Sequence, residues 1–144
     1  MKKKKVINRK YKDMVFTKLF RDKKNILSLY QSLHPEDQTV TTKDISNVTM
    51  ENVFGNGWYN DLGFIVKDTL ILIEAQSTWS ENIILREGCY LFDTYKNKIR
   101  VTGQNIYQTK AIPVPCPELY ALYTGDRKDK PDTLVLSEKC FLNK

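Results

Sequence analysis

Residues Asn60 to Gln76 read N-D-L-G-F-I-V-K-D-T-L-I-L-I-E-A-Q, two apolar runs around a polar break at Lys67-Asp68. That pattern predicts a β-hairpin. A symmetric two-residue loop pairs Val66 with Thr69, Phe64 with Ile71 and Leu62 with Ile73. The same register sets Asp61 opposite Glu74, and side-chain alternation puts Asp61, Glu74 and Gln76 on one face. Two opposed carboxylates repel unless a cation lies between them, and a hard divalent metal that takes oxygen ligands suits that place. A solvated strand end is the alternative reading of the same residues.

Outward from the hairpin, the chain of 144 residues is 41% apolar and 11% aromatic, enough to bury a core. The expectation is a single domain over 13–144 behind a basic N-terminal tail at 1–12. No apolar run approaches the roughly 18 to 20 residues of a membrane span, and no signal-peptide core follows Met1 to Lys5. Net charge is +6, with Lys2, Lys3, Lys4, Lys5, Arg9, Lys10 and Lys12 clustered at the start. That block reads either as a nucleic-acid-binding arm or as a solvated tail.

Cys89, Cys116 and Cys140 are odd in number and widely spaced, which points to reduced thiols in a cytoplasmic protein. Core packing is the expected role of each. His34 is the sole histidine. Histidine-rich zinc sites and H-E-x-x-H proteases are therefore excluded within this chain. His34 itself reads as a helix-terminal residue before Pro35. Carboxylate, amide, lysine and metal remain as the chemical vocabulary, with Glu51 as a further acidic candidate.

Upstream, Val15, Phe16, Leu19 and Phe20 have helical spacing, and a second helix is expected over Lys23 to Leu33 with Asp22 as N-cap. Ile45, Val48, Met50 and Val53 suggest a short strand or an irregular packed segment, and Gly55-Asn-Gly57 a turn. Downstream, a helix is expected from Glu81 to about Asn97, capped by Ser80. Its sheet-packing stripe would be Ile84, Leu85, Gly88, Leu91, Phe92 and Tyr95, with Arg86, Tyr90 and Asp93 on another face. Glu118 to Tyr123 reads as a strand, and Thr133 to Leu136 as a final one. These elements predict an α/β fold, a mixed sheet with a central hairpin flanked by helices.

Asp61…Glu74-Ala-Gln76, set between two helical segments, resembles the PD-(D/E)XK nuclease superfamily. Further matching segments are Phe16-Thr-Lys-Leu-Phe20, Lys24 to Tyr30, Ile73-Glu-Ala-Gln-Ser-Thr78, Leu85-Arg86 and Tyr120 to Arg127. They make the chain most similar to the Rpn-family recombination-promoting nuclease, or transposase, branch. The resemblance implies a restriction-endonuclease-like core and a metal-dependent DNA endonuclease, with room for a homodimer. Asp61, Glu74 and the Ala75 carbonyl would hold Mg²⁺ or Mn²⁺, and Gln76 would stand where the superfamily usually has lysine. Arg86 would contact phosphate, or else form a structural ion pair with Glu81, Glu87 or Asp93. Members of the branch usually continue into a C-terminal helical region, so a truncated copy is one expectation. The alternatives are a nuclease-like fold that binds nucleic acid without cleaving it, and an interaction protein with a solvated hairpin end.

Overall fold

The computed structural model describes residues 15, 16, 18–48 and 61–142. Lys2 to Lys5, Glu51, Met50, Val53, the Gly55–Gly57 turn and Asn60 lie outside the described residues. The chain forms two compact units, 1–45 and 46–144.

In the first unit, Val15, Phe16, Lys18 and Leu19 are helical, and the Phe16 and Phe20 rings lie 4.8 Å apart. Helix α1 spans Lys23–Leu33, and Asp22 caps it by accepting from Lys24 N–H at 2.9 Å, as the sequence predicts. Ile26 and Tyr30 of its apolar stripe are buried with Val40 and Ile45. His34 ends the helix, its N–H bonded to the Tyr30 carbonyl and its ring stacked on Tyr30. The Tyr30 hydroxyl donates to Asp37 at 3.1 Å.

The second unit is built on the hairpin. Strands β2 (Leu62–Val66) and β3 (Thr69–Gln76) pair antiparallel in the predicted register, Leu62 with Ile73 and Val66 with Thr69. Lys67 takes φ 53° in the two-residue loop, a left-handed conformation that costs a side-chain-bearing residue about 1 kcal/mol. Short β1 (Ile45–Asn47) begins a four-stranded sheet of order β1-β2-β3-β4, and β4 spans Cys116–Tyr123. β4 runs parallel to β3, which requires a crossover, and helix α2 (Ile83–Val101) provides it. At the end of the sheet order, β4 tolerates Pro117, whose missing N–H faces away from any partner strand. Phe64, Leu70, Ile71 and Leu72 are fully buried, each contributing roughly 1.5–3 kcal/mol.

The mixed sheet and helices bear out the α/β class. Four expectations are corrected. Thr133 to Leu136 is no strand: the segment leads into a one-turn helix α3 (Leu136–Lys139) with Val135 at its N-cap. Helix α2 starts at Ile83 rather than Glu81, because Ser80 and Glu81 are spent on a turn that closes through Ile83 N–H and the Ser80 carbonyl. Its buried residues are Ile83, Glu87, Tyr90 and Thr94. Of the predicted stripe, Leu91 and Tyr95 pack partly against Leu70 and Leu72, but Leu85 and Phe92 are exposed. Nor are the cysteines core residues: Cys89 and Cys116 are exposed and Cys140 half-buried, all as free thiols. Among the described residues, no helix is long and apolar enough to cross a membrane.

Candidate functional site

Strand alternation leaves Gly63, Ile65, Leu70, Leu72, Glu74 and Gln76 on one face of the hairpin. Leu70 and Leu72 of that face pack on Tyr90 of α2. The apolar part is covered by the middle of the helix, so the polar end meets its first turns. Glu74 and Gln76 lie at the carboxyl end of β3, beside Ala121 and Tyr123 of parallel β4. Binding sites of open α/β sheets gather at such carboxyl ends.

Asp61 directly precedes β2, and its Oδ2 accepts a hydrogen bond from the Ala75 N–H at 2.7 Å. That bond ties the Asp61 carboxylate across the hairpin to the backbone of the Glu74–Gln76 segment. Glu74 and Gln76 are 6% and 7% exposed, unusual for these residue types and costly without partners. Arg86, in the first turn of α2, supplies one: its Nη1 lies 3.2 Å from Glu74 Oε1, and its Nη2 donates to Gln76 Oε1 at 3.3 Å. Of the ion-pair partners open to Arg86 in the sequence, the structure selects none of Glu81, Glu87 or Asp93; Glu74 is the partner.

Glu87 is the functional candidate that sequence reading misses as such. It follows Arg86 on α2 and is 3% exposed. Its carboxylate oxygens make no close hydrogen bond among the described residues, only a weak one from the Glu74 backbone, and Gln76 Nε2 has no partner among them. Burial first, and then the Glu74 charge, push the Glu87 carboxyl up to about 8; Arg86 pulls it down and Asp61 raises it further. Glu87 is therefore held largely protonated at neutral pH. Burial and the Glu74 charge also push the Tyr90 phenol up to about 12, so it stays neutral. The 83, 87, 90, 94 spacing is a helical face, and a search for titratable groups on it would have found Glu87.

The chain matches no protein-family model, no curated protein and no solved structure. The site is therefore defined by its own geometry. Its donors are hard oxygens: the Asp61 and Glu74 carboxylates and the Ala75 carbonyl between two of the site residues. Glu74 lies against the Arg86 guanidinium, and the Asp61 carboxylate against the Ala75 N–H. In donor chemistry the residues suit Mg²⁺ or Mn²⁺. Among the described residues no three Asp, Glu, His or Cys side chains group closely enough to cage an ion. A cation here would rest on two carboxylates, a carbonyl and water, the open coordination that Mg²⁺ commonly keeps.

Proposed function

We propose that this chain is a metal-dependent endonuclease that hydrolyses DNA phosphodiester bonds on a restriction-endonuclease-like core of the PD-(D/E)XK kind. The observation that carries the reading is the Asp61–Ala75 bond. It draws the acidic residue just ahead of one strand to the Glu74–Gln76 end of its neighbour, beneath a helix that delivers an arginine. The order hairpin, helix, parallel strand supports the fold reading, and the +6 charge supports a polyanionic substrate.

In this reading Asp61, Glu74 and the Ala75 carbonyl hold Mg²⁺ or Mn²⁺. A divalent ion supplies charge stabilisation at the phosphate and a water of lowered pKa. Gln76 orients that water or a phosphate oxygen through its Nε2 but brings no charge. Arg86 supplies the missing positive charge: its guanidinium already lies against Gln76 Oε1, and it is 37% exposed, open to a phosphate. The partner is DNA, with Lys2 to Lys5 adding unspecific attraction, and a homodimer would present two such ends. Free cysteines suit a cytoplasmic setting.

Incubation of the purified chain with supercoiled plasmid and Mg²⁺ or Mn²⁺ tests this. Nicked and linear products are expected, lost with chelator and reduced at least about a hundredfold in Asp61→Asn and Glu74→Gln. Intact plasmid and intact single-stranded circular DNA under all metal conditions refute the enzyme.

The Arg86–Glu74 ion pair favours a second reading, in which the guanidinium permanently occupies the carboxylate and the fold binds nucleic acid without cutting. Salt-dependent DNA affinity that is unchanged in Glu74→Gln, without products, would select it.

A further inference from the structure

The flank of α2 around exposed Phe92 forms one wall of a groove of about 570 Å³. Phe92, Tyr95, Lys96 and Ile99 line it from the helix, and the segment from Ile106 to Val114 lines it opposite, Lys110 included. Tyr95 is pinned in that wall, its hydroxyl donating to the Pro115 carbonyl at 2.7 Å. Phe92 is 72% exposed, and Tyr107, next to the lining residue Ile106, is 91% exposed. Phe92, so exposed within a concave lining, marks a contact surface rather than ordinary surface scatter, and Tyr107 adds an exposed ring next in sequence to that lining.

Charge decides what the surface accepts. Between Phe92 and Val114 the chain carries Lys96, Lys98, Arg100 and Lys110 against Asp93 alone. A polyanion with flat apolar faces satisfies both halves of this environment, and single-stranded nucleic acid is that polymer. The bases of a duplex are stacked inside and offer a lysine-flanked aromatic groove only phosphate. Along α2, Phe92 to Ile99 follow Arg86 by about 9 to 20 Å of helix axis. A strand in the groove therefore runs along the helix that carries the arginine of the hairpin site.

We propose that this groove binds single-stranded nucleic acid, with bases stacked on Phe92 and Tyr107 and phosphates on Lys96 and Lys110. The proposal rests on the nucleic-acid reading above and names the strand form that the chain would engage.

Fluorescence anisotropy of the full chain with a labelled fifteen-residue oligo-dT in chelator tests it, with the same oligomer annealed to its complement as comparison. The single strand is expected to bind more tightly than the duplex. Phe92→Ala and Tyr107→Ala each weaken it by about tenfold. Lys110→Gln lowers the slope of log affinity against log salt by about 0.7. Both aromatic side chains are exposed, so unchanged circular dichroism melts are expected to accompany the loss. Preference for the duplex, or wild-type dT affinity in all three variants, overturns the proposal. So does a Phe92→Ala change confined to oligomeric mass, which would make the groove a contact between copies. Groove-dependent dT binding without any metal-dependent cleavage would support the groove and remove the nuclease. Cleavage with dT binding indifferent to the groove would do the reverse.

Discussion

Replacing Glu87 by Gln should make the protein more stable at alkaline pH and remove most of its pH dependence between 5 and 8. The carboxyl is 3% exposed, makes no close hydrogen bond among the described residues, and has its pKa raised from 4.5 to about 8, chiefly by burial. A raised carboxyl pKa means that the folded state holds the proton more tightly than the unfolded chain. This stabilising contribution is complete below the unfolded value and is lost as pH rises through the folded one. The rise from 4.5 to about 8 corresponds to at most about 5 kcal/mol, with a limiting slope of about 1.4 kcal/mol per pH unit between the two values. Relaxation of the site reduces this, and about 2–3 kcal/mol is the expected loss from pH 5.5 to 8.5. The Glu87→Gln side chain keeps the shape of the carboxyl and cannot ionise. Urea denaturation at half-unit pH steps in chelator, wild type against Glu87→Gln, cancels every other titrating group. The curves should meet near pH 5 and diverge upward, with the variant more stable at pH 8.5. Parallel curves, or a variant less stable at pH 8.5, would refute a buried neutral Glu87.

Three further outcomes follow from single contacts. Lys67→Gly should raise stability by up to about 1 kcal/mol in the same denaturation assay, because it relieves the left-handed loop residue. Gly125→Ala should lower it by about 2 kcal/mol, because a Cβ there runs into the Ser77 carbonyl oxygen and the Tyr123 ring. Arg86→Ala should separate binding from turnover. Removing the guanidinium from Glu74 should tighten Mn²⁺ binding in calorimetry by on the order of tenfold, while plasmid cleavage slows. A variant that weakens both equally would make Arg86 purely structural.

The hairpin was legible because its register is set locally: two apolar runs of matched length leave Lys67 and Asp68 as the turn, and parity then fixes the face of every other residue. The cap at Asp22 was legible for the same local reason. The face of α2 was not, because hydrophobicity misdirects there. A helix lying over a charged strand end turns Glu87 and Thr94 inward with Ile83 and Tyr90, and so exposes Leu85 and Phe92. Of the site, Asp61, Glu74 and Gln76 follow from strand parity. Glu87 and the choice of Glu74 as partner of Arg86 depend on how the helix is rotated over the sheet, which no local pattern encodes. The exposed cysteines have a similar origin. Cys89 sits on the outward side of α2, and Cys116 opens an edge strand at the end of the sheet order.

The most direct test of the central claim is anomalous scattering from crystals of the full chain soaked in Mn²⁺. The proposed function predicts one peak at the hairpin end, within bonding distance of Asp61, Glu74 and the Ala75 carbonyl, with the Arg86 guanidinium displaced from Glu74. No peak there at millimolar Mn²⁺, with Arg86 still paired to Glu74, would contradict it.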